Sequence, residues 1–176
     1  ITGLPSNAAI RLRIDSTNFR AFDMSVYGGP KMLINVNQWG TINWTSMNQA
    51  FLGSDSLEIT ATDIPDLSRV TDMSSMFSSC DKVNPSNINS WNTSHVTNMS
   101  GLFANARAFN QDIGNWDVSH VTNMSSMLLG TDVFNKDISS WDVSSVTTMH
   151  QMFTNAYAFN QPIGNWNTSH VTNLSS

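Results

Sequence analysis

Three histidines, His95, His120 and His170, recur at one position of a repeating pattern, and Ser145 takes the same place in the copy between them. Stacked imidazoles could share a zinc ion, but a closed tetrahedral site needs further thiolate, imidazole or carboxylate ligands, and none falls at a usual spacing. The carboxylates Asp112, Asp117, Asp137 and Asp142 are also in register. A calcium bridge between them would need six or more oxygens, so solvated or turn-capping acids are the expected reading. Serines are abundant enough to place one beside a histidine and an aspartate. Yet each histidine has a repeat equivalent or, for His150, stands where other copies carry serine, whereas a catalytic group is normally unique. No G-x-S-x-G, H-E-x-x-H, C-x-x-C or phosphate-cradling glycine loop is present. The expected inventory is therefore no catalytic residue, no metal and no cofactor.

What must position these residues is the repeat itself. Segments beginning at Trp91, Trp116, Trp141 and Trp166 align without gaps at a period of 25, as in WDVSHVTNMSSMLLGTDVFNKDISS. Two diverged copies precede them, from Trp44 and Asp66, so the register residue runs Met47, Met73, Met99, Met124, Met149 and Leu174. The last copy stops at Ser176 within its unit, and the array is expected to continue in a longer protein.

Within one unit, Val96, Met99, Leu102 and Phe103 follow offsets 0, 3, 6 and 7, as do Val121, Met124, Met127 and Leu128. That spacing predicts one face of a short helix, capped by Ser94 or Thr97 and their equivalents. The arcs from Phe109, Phe134 and Phe159 are too short for a helix and predict brief strands, followed by turns before each Trp. Strands stack at about 4.8 Å and helices at about 8 to 10 Å, so such an array must curve with the arcs inside. The predicted fold class is α/β, a curved leucine-rich-repeat-like solenoid of short helices and strands. Residues 1–40 predict a β-rich N-terminal cap or the tail of an upstream β-module, with strands near Ala9–Ile14 and Lys31–Val36, and residues 41–176 the solenoid of about six coils.

Three further columns follow from the register. Trp91, Trp116, Trp141 and Trp166 predict a ladder, read first as a buried spine between strand and helix and second as an exposed track for sugars. Asn84, Asn110, Asn135 and Asn160 predict a buried amide column, each bonding the backbone of the next coil. Thr45, Thr71, Thr97, Thr122, Thr147 and Thr172 are spaced regularly enough to invite an ice-binding reading. Their place at the start of the predicted helix favours capping instead.

Charged residues are 12% of the chain and the net charge is −5. About 25% is usual for soluble domains, so the surface is polar but weakly charged, and it lacks the basic stripe that nucleic acid requires. No apolar run is long enough to span a bilayer, and the single Cys80 cannot form an internal disulfide.

The stretch Leu57–Glu58–Ile59 through Asp66–Leu67–Ser68–Arg69–Val70–Thr71, with the W-[DN]-[VT]-S-x-V-T-x-M-x-x-M-F copies, resembles the BspA-type leucine-rich repeats of bacterial surface proteins. The Trp-led copies are similar to its variant of unknown function in mycoplasma surface proteins. Gln38–Trp39–Gly40 is similar to a triplet that follows a small β-sandwich in such proteins. The resemblance implies secretion or surface display and a role in adhesion or ligand binding. The expected function is recognition of a host or neighbouring-cell protein or glycan by a module that is monomeric within a larger chain. The alternative is a passive spacer displaying other domains. Gln111, Asp112, Lys136, Asp137 and Gln161, exposed on the expected concave arc, are the candidate binding residues.

Overall fold

The computed structural model describes residues 20–21 and 33–175. The expected strand at Ala9–Ile14 lies outside them. The chain winds into coils that stack in parallel, one per repeat. Isolated bridges link Asp72 to Asn98, Asn98 to Asn123, Asn123 to Thr148 and Thr148 to Asn173. Strand β1 (Asn35–Val36) pairs in parallel with β2 (Glu58–Ile59) one coil later.

The predicted helices are not formed, and with them falls the α/β helix-and-strand solenoid. Among the described residues the elements are these two short strands and one 3-10 turn, Ile88–Ser90. The reason lies in the backbone of the Met-x-x-Met-Phe segment. Two positions in each copy take positive φ: Gln49, Ser75, Gly101, Ser126 and Gln151 in one column, and Gly53, Ser79, Asn105, Gly130 and Asn155 in the other. An α-helix tolerates neither, because every residue must be right-handed for its N–H to reach four residues back.

Alternation of hand instead points successive N–H groups out of the coil. Met99, Gly101, Phe103 and Asn105 donate to the carbonyls of Asn123, Ser125, Met127 and Leu129 in the next coil, and the copies around them repeat this at 2.6–3.1 Å. Intervening amides close three-residue turns, such as Leu102 to Met99 and Ala104 to Gly101. Both backbone valences are met without helix or regular sheet, as a buried main chain demands. Because this segment stacks through main-chain hydrogen bonds, as the bridged arc does, the helix spacing that would have opened a convex side is absent. The expected concave face loses its cause.

The zigzag still buries the residues a helix would have buried. Met73, Met76, Phe77, Val96, Met99, Leu102, Phe103, Val121, Met124, Met127 and Leu128 are all inaccessible to solvent. An aromatic spine runs along the stack: Phe51 on Phe77 and Phe77 on Phe103, then Phe109 on Phe134 and Phe134 on Phe159, with near-parallel rings. The tryptophans take the buried alternative: Trp91, Trp116 and Trp141 are 3–4% exposed. Indole Nε1 of Trp116, Trp141 and Trp166 donates to the carbonyl of Ile88, Ile113 and Ile138 in the preceding coil.

The coils approach closely where glycine stands. A Cβ on Gly114 would lie 2.7 Å from the main-chain oxygen of Asp137, while Gly164, at the same repeat position, has open space. Gly114→Ala is expected to destabilise by about 1–3 kcal/mol, as overpacking does. Gly164→Ala is expected to be neutral, a contrast that urea unfolding of the two variants measures.

Candidate functional site

The five candidate residues fall in two adjacent columns on one side of the stack. Gln111, Lys136 and Gln161 share the first, and Asp112 and Asp137 the second, with Pro162 next in line. The glutamines and Lys136 are half-buried and the two aspartates exposed. Gln111 Nε2 donates to the Asn84 carbonyl at 3.4 Å, and Gln161 Nε2 to the Asn135 carbonyl at 3.1 Å and its Oδ1 at 2.8 Å. Asp112 accepts from the Gly114 N–H and from Asn89 Nδ2 of the preceding coil. Asp137 accepts from the Ser139 N–H at 2.9 Å.

Beside them runs the asparagine column. Oδ1 of Asn84, Asn110 and Asn135 accepts from the N–H of Asn110, Asn135 and Asn160, at 3.0, 3.1 and 2.9 Å. The bond to the next coil is the expected one, but its setting differs, since Asn84, Asn135 and Asn160 are exposed and Asn110 half-buried. An amide that bridges two coils at the surface replaces a water-bonded N–H and fixes the register.

The threonines are placed differently from the sequence reading. All six are exposed, and they cap no helix. The N–H groups of Thr97, Thr122, Thr147 and Thr172 donate to the carbonyl of the preceding threonine, each at 2.9 Å, and their Oγ1 atoms bond the same carbonyls. A signal against the helix was present in Gly101, Gly130, Asn105 and Asn155, residue types that favour left-handed backbone and weaken helices.

The histidines and acids are organised locally. Nδ1 of His95 and His120 faces Ser94 Oγ and Ser119 Oγ, at 3.1 and 3.2 Å. Those hydroxyls donate to Asn92 and Asp117 at 2.7 and 2.6 Å, so the serine proton points away from the imidazole. Nucleophile activation needs the reverse. Among the described residues no three His, Cys, Asp or Glu side chains gather as metal ligands would. Bonds from the Ser119 hydroxyl and N–H, followed by the charge of His120, hold the Asp117 carboxyl below its ordinary 3.8. Ser144 and Ser139 lower Asp142 and Asp137 in the same way.

A carboxyl whose pKa is depressed by folding contributes stability above its unfolded value, and this is lost as pH falls through the lower folded value. The melting temperature is therefore expected to fall as pH drops below 3.8. Asn92 and Asn167 accept the same serine N–H bonds in their own coils without ionising. The double variant Asp117→Asn, Asp142→Asn is expected to lower the neutral-pH midpoint slightly, by what the two carboxylates contribute, and to flatten the acid limb, as a pair of melting curves against pH records.

Parallel coils of 25–26 residues, held by main-chain ladders and a buried aromatic spine, define a repeat protein whose surface is written in columns. The chain belongs to the family described as Mycoplasma protein of unknown function, DUF285, which matches it over residues 20–118 and again over 71–176. No curated protein and no solved structure matches it. Among the described residues no helix is long and apolar enough to cross a membrane.

Proposed function

We propose that the chain is a secreted or cell-surface recognition module that binds a protein or glycan of a host or neighbouring cell. The carrying observation is the pair of in-register columns formed by Gln111, Lys136, Gln161, Asp112 and Asp137. They offer amides, carboxylates and one ammonium at the coil spacing of about 4.8 Å. The side chains of Gln111, Asp112 and Gln161 are partly immobilised by bonds to the preceding coil, which lowers the ordering cost of binding. The likeness of the repeats to BspA-type surface repeats supports display outside the cell. Serine protons given to Asn92 and Asp117 instead of to the imidazoles favour binding over catalysis.

Glycan-array and pull-down screens with the intact chain identify the partner. The variant Gln111→Ala, Asp112→Ala, Asp137→Ala, Gln161→Ala is then expected to bind about tenfold or more weakly, equivalent to one or two net hydrogen bonds. Undiminished binding by the folded variant rejects this face. The second reading, a spacer, is favoured by the stacking itself, because coils joined through main-chain bonds add length whatever their surface carries.

A further inference from the structure

We propose that the exposed threonine column is an ice-binding face. Thr45, Thr71, Thr97, Thr122, Thr147 and Thr172 stand one per coil, all exposed. In the last four, Oγ1 bonds the preceding threonine's carbonyl at 3.2, 3.2, 3.0 and 3.2 Å, in parallel with the main-chain bond. That second bond fixes the side-chain rotamer. Each methyl and hydroxyl oxygen therefore repeats in the same orientation at about 4.8 Å, the spacing of hydrogen-bonded strands. This is within a few tenths of an ångström of the oxygen repeat in the basal plane of ice.

The neighbouring column, Asn98, Asn123, Thr148 and Asn173, carries the interlocking bridges of the stack. Its asparagine Oδ1 atoms are tied to the N–H groups of Ser100, Ser125 and Ser175. That bond sets the orientation of the amides. Two adjacent columns are thus ordered before any ligand arrives, so a regular solid surface is met without further loss of side-chain freedom. Neither column carries a charge beyond Asp72 at its start, in a chain with only 12% charged residues. Ordered water is matched by position rather than by ion pairing. A stacked sugar would need exposed aromatics, and Trp91, Trp116 and Trp141 are buried.

Thermal hysteresis and inhibition of ice recrystallisation, measured on the intact chain, test this. The expected result is faceted ice crystals and a freezing point below the melting point. The double variant Thr97→Tyr, Thr122→Tyr, checked for folding by circular dichroism, is expected to lose both activities. Thr97→Ser, Thr122→Ser keeps the hydroxyl bond to the carbonyl and removes only the methyls, and is expected to lose most of the hysteresis with an unchanged melting curve. The proposal is overturned if the folded intact chain leaves ice unshaped. Full activity in the serine variant, or activity lost only when Gln111 and Gln161 are replaced, overturns it equally.

Discussion

Phe109→Ala is expected to cost about 3–5 kcal/mol, the usual range for emptying a large aromatic site in a packed core. Phe109 is wholly buried. Its ring stacks on Phe103 at 3.8 Å within its own coil and on Phe134 at 5.7 Å in the next. Removing it breaks the spine both around the coil and along the stack. In a quasi-one-dimensional array stability sums over neighbouring interfaces, so one weak interface divides the cooperative unit. Urea unfolding should show a lower midpoint and a broadened transition. Hydrogen exchange should show faster loss of the Phe103 and Asn105 amides, which bond the coil beyond. Tyr157→Ala is the control: Tyr157 is 78% exposed, and its loss is expected to stay within about 0.5 kcal/mol. Equal effects of the two substitutions would mean that Phe109 does not occupy the spine.

Excising residues 91–115 removes one whole coil and brings Trp116 to the place of Trp91. Phe134 then follows Val83, and the Asn135 N–H meets Asn84 Oδ1, so each column closes over the gap. A folded chain shorter by about 4.8 Å is expected, with a modestly lower melting point. Excising residues 91–102 takes out half a coil instead, and sets Ser and Asn positions against Met and Phe. That variant is expected to lose most of its stability and to unfold in two parts, because the coils on either side of the cut no longer pair in register and each buried polar group left without a partner there costs about 1–3 kcal/mol. Circular dichroism and size-exclusion chromatography separate the two outcomes. Partner binding by the whole-coil deletion also separates the functional readings, since a spacer tolerates shortening and a binding face weakens with each lost coil.

Much of this arrangement was legible in the repeat. A 25-residue period, led by Trp in its last four copies, announced a stack, and the apolar offsets named Val96, Met99, Leu102, Phe103, Val121, Met124, Met127 and Leu128, all of them wholly buried. The tryptophan column reads as buried between strand and helix, and Trp91, Trp116 and Trp141 are buried, though with no helix to pack against. The asparagines were rightly paired with the following coil, though not at the right depth. What misled was a degeneracy: offsets 0, 3, 6 and 7 bury the same side chains in a helix and in a backbone that alternates hand. Periodicity reports which residues are hidden, not how the peptide planes between them are turned. The left-handed positions decide that, and they are held by serine and glutamine as well as by Gly130 and Asn155, which blurs the signal. Once a helix was assumed, the threonines became caps and the arc became concave. Both inferences fell with the helix, while the candidate columns remained as neighbours.

The alternating backbone has one more consequence. From Met47 to Gly130 the bonded N–H groups of this segment face the following coil and the bonded carbonyls the preceding one. The dipoles of these peptide units add along the axis instead of cancelling as they do in a β-sheet. This side of the stack is consequently vectorial, while the threonine ladder runs the opposite way, and a coil offered to it backwards would set donor against donor. A unit can join this part of the stack in one orientation only, so the direction of the chain is also the direction of assembly.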